Sequence, residues 1–186
     1  LMFGISSINQ WVLDNFRLEK TDSNFILDLT RFITHLGDGL TLILIGLCVL
    51  AFLIFKKSYK LSLVWSVAVA LSFGLSSGLK HIFGKARPDE AYHLIHAVSP
   101  AFPSGHALRS TVVYILGALL IFSMLKISKG RITILLITAC LPILIGLSRL
   151  LLGVHWFTDV LAGWSIGLAI CGFFYAYSFK WTKGWN

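Results

Sequence analysis

Five long apolar segments constrain this chain more than any other feature of its sequence. They run Gly39 to Phe55, Leu61 to Leu79, Ala107 to Leu125, Ile132 to Leu150 and Val160 to Phe179. A hydrocarbon core about 30 Å thick needs roughly 20 apolar residues per helical crossing, and slightly fewer where flanking lysines snorkel. Each segment is apolar around its whole circumference, unlike the half-buried helices of a water-soluble domain. Hydrophobic residues make up 56% of the 186 positions and charged residues 13%, more apolar matter than a soluble core of this size uses. The expected fold class is an all-α, polytopic transmembrane helix bundle with five visible crossings.

The residues before the first crossing are of another kind. Phe25, Ile26, Leu29, Phe32, Ile33 and Leu36 recur at helical spacing, with Asp28, Arg31 and His35 on the other side. That pattern predicts an N-terminal amphipathic surface helix. Thr21, Asp22, Ser23 and Asn24 offer caps at its start, and Gly37 and Gly39 punctuate its end. No linker or low-complexity run divides the chain, so one membrane-embedded domain is expected over 1–186. Residues 1–38 are expected to form its surface segment and 39–179 its transmembrane core. Cys48, Cys140 and Cys171 lie in apolar stretches without CxxC spacing, as packing residues would. The apolar run Leu1 to Ile5 is too short for a signal peptide. The aromatics Trp65, Trp156, Phe157, Trp164, Trp181 and Trp185 fall mostly near crossing ends, as an interfacial belt would.

Alternating crossings sort the charges onto two faces. One face carries Lys56, Lys57, Lys60, Lys126, Lys129, Arg131, Lys180 and Lys183 and no acid. The other carries the remaining eight cations and all eight acids, so the Lys and Arg count alone is a tie, broken by the dense basic clusters in the short loops of the first face. Short basic loops mark the cytoplasmic side, which places the acid-free face there. The formal net charge of +8 then faces anionic headgroups, and nucleic acid is not needed to explain it.

Three blocks of polar residues gather at the opposite, extracytoplasmic ends of the helices. The first is Lys80, six intervening residues, Arg87 and Pro88. The second is Pro103, Ser104, Gly105 and His106. The third is Ser148, Arg149, five residues, His155, three residues and Asp159. Singly each has a plain reading, because terminal cations snorkel and Pro-Ser-Gly starts many helices. Together they cluster ionisable groups at a membrane face, where such groups mark function. In order and spacing they resemble the three-part signature of the type-2 phosphatidic acid phosphatase superfamily, which includes lipid phosphate phosphatases and vanadium-dependent haloperoxidases. Many members of that family have six crossings. Either an upstream helix lies outside this sequence, or the N-terminal surface segment takes its place.

The chemistry of a phosphate ester assigns roles to these residues. A dianion repels nucleophiles until its charge is spread over fixed donors. Lys80, Arg87 and Arg149 supply cations, and Ser104 and the Gly105 amide supply donors at a helix start. If the fifth crossing begins near His155, then His155 and Asp159 share a helical face, and the carboxylate can aim the imidazole at phosphorus. Attack by His155 gives a phosphohistidine; His106 protonates the departing alkoxide and then activates water. The resemblance implies the same division of labour. Two His and one Asp are also a metal-ligand set, but the adjacent cations would repel Mg²⁺ or Zn²⁺. No metal and no cofactor is expected.

Arg109 lies outside the signature, three residues after His106. It either snorkels to headgroups or contacts a second anionic group on the substrate. His35, His81, His93 and His96 need only interfacial positions. The long interval from Lys80 to His106 predicts a short surface helix within Ala91 to Val98. The expected substrate is a membrane lipid phosphate such as phosphatidic acid, phosphatidylglycerophosphate or a prenyl diphosphate. Relatives dedicated to prenyl diphosphates often carry Asp where this chain has Gly105, which favours the glycerophospholipid or glycolipid group. Two rival functions are a lipid-to-lipid phosphotransferase using the same blocks and a non-catalytic lipid-phosphate binder. The lipid bilayer is the expected partner, with no obligate protein partner. The expected location is a bacterial cytoplasmic membrane, with the site facing outward.

Overall fold

The computed structural model describes residues 2–124 and 130–182. Leu125, Lys126, Lys129, Lys183 and Trp185 lie outside the described residues, as do the side chains of Arg131, Lys180 and Trp181. The described residues form helices without strands: α1 (Met2–Phe16), α2 (Asn24–His35), α3 (Gly39–Phe55), α4 (Tyr59–Phe83), α5 (Gly105–Ser123), α6 (Gly130–Leu151) and α7 (Phe157–Thr182). Helices α4 to α7 are each long and apolar enough to cross a membrane, and α2 with α3, bent by 50° at their break, together meet the same test as a broken span or a re-entrant loop, giving four to five candidate spans among the described residues. The chain is thus a multi-pass membrane protein.

Helix α5 is the centre of the bundle. In its most apolar stretch 61% of residues are buried, against 39% in α4 and 33% in each of α6 and α7. Leu108, Val112, Leu116 and Leu120 of α5 meet Leu42 and Leu53 of α3, Trp65 and Ala68 of α4 and Ile170 of α7 in one core. Leu44, Leu63, Leu136 and Leu168 stay exposed on the outer faces, where lipid is their solvent. The six residues Thr111–Leu116 follow π-helical geometry within α5, a local widening often found near functional sites. Gly163 and Gly167, four apart on α7, let it approach α5 closely. A Cβ at Gly163 would meet the Ser104 carbonyl at 2.7 Å, and one at Gly167 would meet Thr111 Cβ at 2.7 Å. Small residues at this spacing are the usual means of close helix packing in lipid.

Several expectations are corrected. Helix α1, an element not distinguished by sequence within the surface segment 1–38, docks on the site end of the bundle, where Asn9 donates Nδ2 to Thr158 Oγ1 (3.1 Å) and its Oδ1 accepts the Thr158 amide (3.0 Å). The amphipathic helix α2 forms as expected: Phe25, Ile26, Leu29 and Phe32 point outward, while Leu27, Thr30 and Thr34 are buried against α6. Ala91 to Val98 forms no helix beyond a single 3-10 turn, Glu90–Tyr92. Trp65 is not in an interfacial belt: it is buried, with its indole N–H on the Gly46 carbonyl at 2.9 Å. Cys171 is buried, but Cys48 and Cys140 are exposed.

Candidate active site

The three blocks meet at one end of the bundle. Helix α4 presents Lys80 in its last turn and stops at Gly84, whose left-handed conformation (φ 51°) returns its amide to the Lys80 carbonyl at 3.0 Å. Glycine takes this conformation without a Cβ penalty. The loop beyond carries Arg87 back over the helix end. Ser99 joins the two cations: its carbonyl accepts from Arg87 Nε (2.7 Å), and its hydroxyl from Arg87 Nη2 (3.3 Å) and Lys80 Nζ (3.4 Å). The Pro100 carbonyl accepts a further hydrogen bond from Lys80 Nζ, and the Val154 carbonyl one from Arg87 Nη1. Burial pushes the Arg87 pKa down, and the Asp159 charge opposes it.

Ser104 and Gly105 open α5, with the Ser104 amide on the Asp159 carbonyl at 2.9 Å. The Ser104 hydroxyl oxygen is buried and has no hydrogen-bond partner among the described residues. A Cβ at Gly105 would meet Ser76 Oγ at 2.8 Å and Arg109 Nη2 at 3.2 Å. Arg149, only 4% exposed, comes from the last turn of α6 and donates Nη1 to Thr34 Oγ1 at 2.7 Å; its Nε has no partner.

The α6–α7 turn depends on Gly153 (φ 69°), where a Cβ would strike the Tyr92 carbonyl oxygen. It delivers His155, 3% exposed, to the Arg87 guanidinium: Nε2 stands 3.3 Å from Arg87 Nη1. Burial, then the charges of Arg149, Arg87, Lys80 and His106, push the His155 pKa well below its ordinary 6.5. The cations around it therefore favour the neutral imidazole, whose Nε2 lone pair faces the Arg87 guanidinium.

The premise that His155 and Asp159 share a helical face is corrected, because α7 begins at Phe157 and His155 precedes it. His155 Nδ1 lies 3.5 Å from Asp159 Oδ2 and has no hydrogen-bond partner among the described residues. Asp159 is committed elsewhere. Its Oδ2 accepts the Trp156 amide at 3.0 Å, half of a capping box at the start of α7. Its Oδ1 meets Lys85 Nζ at 2.6 Å, and Lys85 also reaches Thr158 Oγ1 at 3.0 Å.

His106 faces a carboxylate absent from the predicted set: its Nε2 lies 2.9 Å from Asp38 Oδ1. Arg109 turns toward α4, donating Nη2 to Ser76 Oγ at 3.0 Å with its guanidinium 4.6 Å from the Phe73 ring centroid. Lys85 and Arg87 line both a cavity of about 640 Å³ shared with Asp89, His93 and Pro100 and a groove of about 420 Å³ shared with Asn9 and Trp156. Sequence reasoning missed Thr34, Asp38, Ser76, Lys85 and Ser99. Lys85 alone had a usable signal, as a cation inside the Lys80–Arg87 block.

Known proteins match both sequence and fold. The family described as "PAP2 superfamily" matches residues 59–183. Phosphatidylglycerophosphatase B of Bacillus subtilis (strain 168) is 33% identical over 139 residues, which cover 74% of this chain and 68% of that protein. Undecaprenyl-diphosphatase of Sulfolobus acidocaldarius is 29% identical over 128 residues, covering 62% of this chain and 54% of that protein. A crystal structure described as the first transmembrane PAP2 type phosphatidylglycerolphosphate phosphatase from Bacillus subtilis superposes with a TM-score of 0.86 at 28% identity, covering 95% of this chain and 87% of that one.

Proposed function

The chain belongs to the PAP2 superfamily, and from that membership we propose that it hydrolyses the phosphate monoester of a membrane glycerophospholipid, phosphatidylglycerophosphate first among them. The observation that carries the reading is His155, a buried imidazole with Nε2 3.3 Å from Arg87 Nη1 in the field of Arg149 and Lys80. A phosphoryl group bound by those cations lies against a neutral nitrogen nucleophile.

The reaction proceeds in two displacements. His155 Nε2 forms a bond to phosphorus while the bond from phosphorus to the lipid oxygen breaks, and His106 gives that oxygen a proton. Water then attacks phosphorus and the P–N bond breaks; the water's proton goes to His106, and inorganic phosphate leaves. Arg87, Arg149, Lys80, the Ser104 hydroxyl and the Gly105 amide hold the equatorial oxygens, whose charge grows in each transition state. The site lies on the extracytoplasmic side, a placement supported by the acid-free, lysine-rich opposite face. A glycerophospholipid is favoured over a prenyl diphosphate by Gly105 and by the higher identity to the phosphatidylglycerophosphatase.

The test is phosphate release by the purified protein in detergent from phosphatidylglycerophosphate, phosphatidic acid and undecaprenyl diphosphate. Release fastest from phosphatidylglycerophosphate, with phosphatidylglycerol as the product, supports the reading. Transfer of phosphate to a second lipid, or no turnover of any of the three, overturns it.

A further inference from the structure

Asp38 occupies the N-cap position of α3, where a carboxylate ordinarily accepts a backbone N–H of the first turn. It makes no such bond. Oδ1 lies 2.9 Å from His106 Nε2 and Oδ2 lies 2.7 Å from His35 Nδ1. The carboxylate has left its helix to serve two histidines, one of them in the candidate site.

The surrounding elbow is shaped for this contact. A Cβ at Gly37 would collide with Ile145 and stand 2.9 Å from His106 Cδ2, so the backbone itself forms one wall of the imidazole's seat. One helical turn earlier, Thr34 accepts from Arg149 at 2.7 Å. Thr34 and Asp38 thus each hold one candidate residue of a different helix. Both precede residue 59, where the family match begins.

We propose that Asp38 is a positioning residue for His106, holding Nε2 as a proton donor to its carboxylate so that Nδ1 exchanges the proton with the lipid oxygen and then with water. The inference rests on the phosphatase reading given above. An imidazole bonded through one nitrogen to a carboxylate is fixed in tautomer and orientation, and its protonated form is stabilised. His106 needs that help because the cations facing it are Arg149 on α6 and Arg109 on its own helix, while His155 beside it is neutral and His35 lies behind Asp38. Asp38, 2.9 Å from Nε2, is the anion that opposes those cations.

The experiment compares wild type, Asp38→Asn and Asp38→Glu, measuring kcat and KM for phosphatidylglycerophosphate in detergent across pH. Asp38→Asn should lower kcat about 10²-fold, within the range of general acid–base effects. KM should change little, and the alkaline limb of the profile should move about one unit toward acid, as loss of a neighbouring opposite charge requires. Asp38→Glu should restore the limb. The limb's position does not depend on how much enzyme is folded, so a folding defect cannot imitate the result. Active wild type with an unmoved limb in Asp38→Asn overturns the role of Asp38 alone. Wild type that releases no phosphate overturns the phosphatase reading and this inference with it.

Discussion

Lys85 Nζ sits 2.6 Å from Asp159 Oδ1, and the Asp159 side chain is wholly buried while that of Lys85 is one-third exposed. The pair fixes the start of α7 and therefore the chain that carries His155. A buried carboxylate deprived of its cation costs about 3 to 5 kcal/mol. Lys85 retains some water, so Lys85→Ala should lower stability by about 3 kcal/mol, at the lower end of that range. Lys85→Arg should recover most of it. Thermal unfolding in detergent reads the difference, and equal melting temperatures for Lys85→Ala and wild type would remove Lys85 from the architecture of the site.

His155→Ala removes the proposed nucleophile from a position where the backbone is already set by Gly153 and the Trp156–Asp159 contact. Turnover should vanish with the melting temperature nearly unchanged, and no acid-labile phosphoenzyme should be trapped by rapid quench. Arg149→Ala should keep the phosphoenzyme but slow its formation by about 10² to 10³, the cost of one lost transition-state donor. Phosphoenzyme in His155→Ala would assign the nucleophile elsewhere.

The residues legible in the sequence were those whose type is improbable in its setting. Lys80, Arg149 and Asp159 each flank or interrupt apolar stretches, where an ionisable group is costly without a function. Their partners were not legible because packing alone joins them. Asp38 and His106 are 68 positions apart, and Thr34 and Arg149 are 115 apart. An Asp before a helix reads as a cap, and Asp38 differs from a cap only in where its oxygens point. Gly163 and Gly167 stand four apart on α7, and only the fold shows that their close approach to α5 brings Asp159 to Ser104. The helical-face argument for His155 and Asp159 failed on a boundary, since α7 starts two residues after His155.

The depressed pKa of His155 makes two pH predictions with a definite sign. The folded protein holds His155 neutral below its ordinary 6.5, whereas the unfolded chain protonates there. Unfolding therefore takes up a proton at low pH, and the His155 contribution to stability falls as pH drops below about 6.5. In His155→Gln that component of the pH dependence should disappear. For the same reason the acid limb of activity should lie below 6.5, with an alkaline limb set by His106, giving a bell-shaped profile. An acid limb above 6.5 would mean that His155 is not the group that must be neutral. Saturating EDTA should leave the whole profile in place.

Arg109 is the cation whose use the site leaves open. Its guanidinium is turned into the bundle, bonded to Ser76 and stacked at Phe73, so it is not spread along the headgroup surface. Its Nε is buried without a hydrogen-bond partner among the described residues. One phosphomonoester is already served by Lys80, Arg87 and Arg149, so Arg109 is available to a second anionic group of the same lipid. Phosphatidylglycerophosphate has one, its phosphodiester; phosphatidic acid has none. Contact with a group remote from the reacting phosphorus binds ground state and transition state alike, which lowers KM and leaves kcat alone. Arg109→Ala should therefore raise KM for phosphatidylglycerophosphate about 10-fold, the scale of a charge-assisted hydrogen bond worth roughly 1.5 kcal/mol or more. KM for phosphatidic acid should change little, and kcat should hold for both. Equal increases in KM for the two lipids would show that Arg109 acts through Ser76 and the packing of α4 on α5, and not on the substrate.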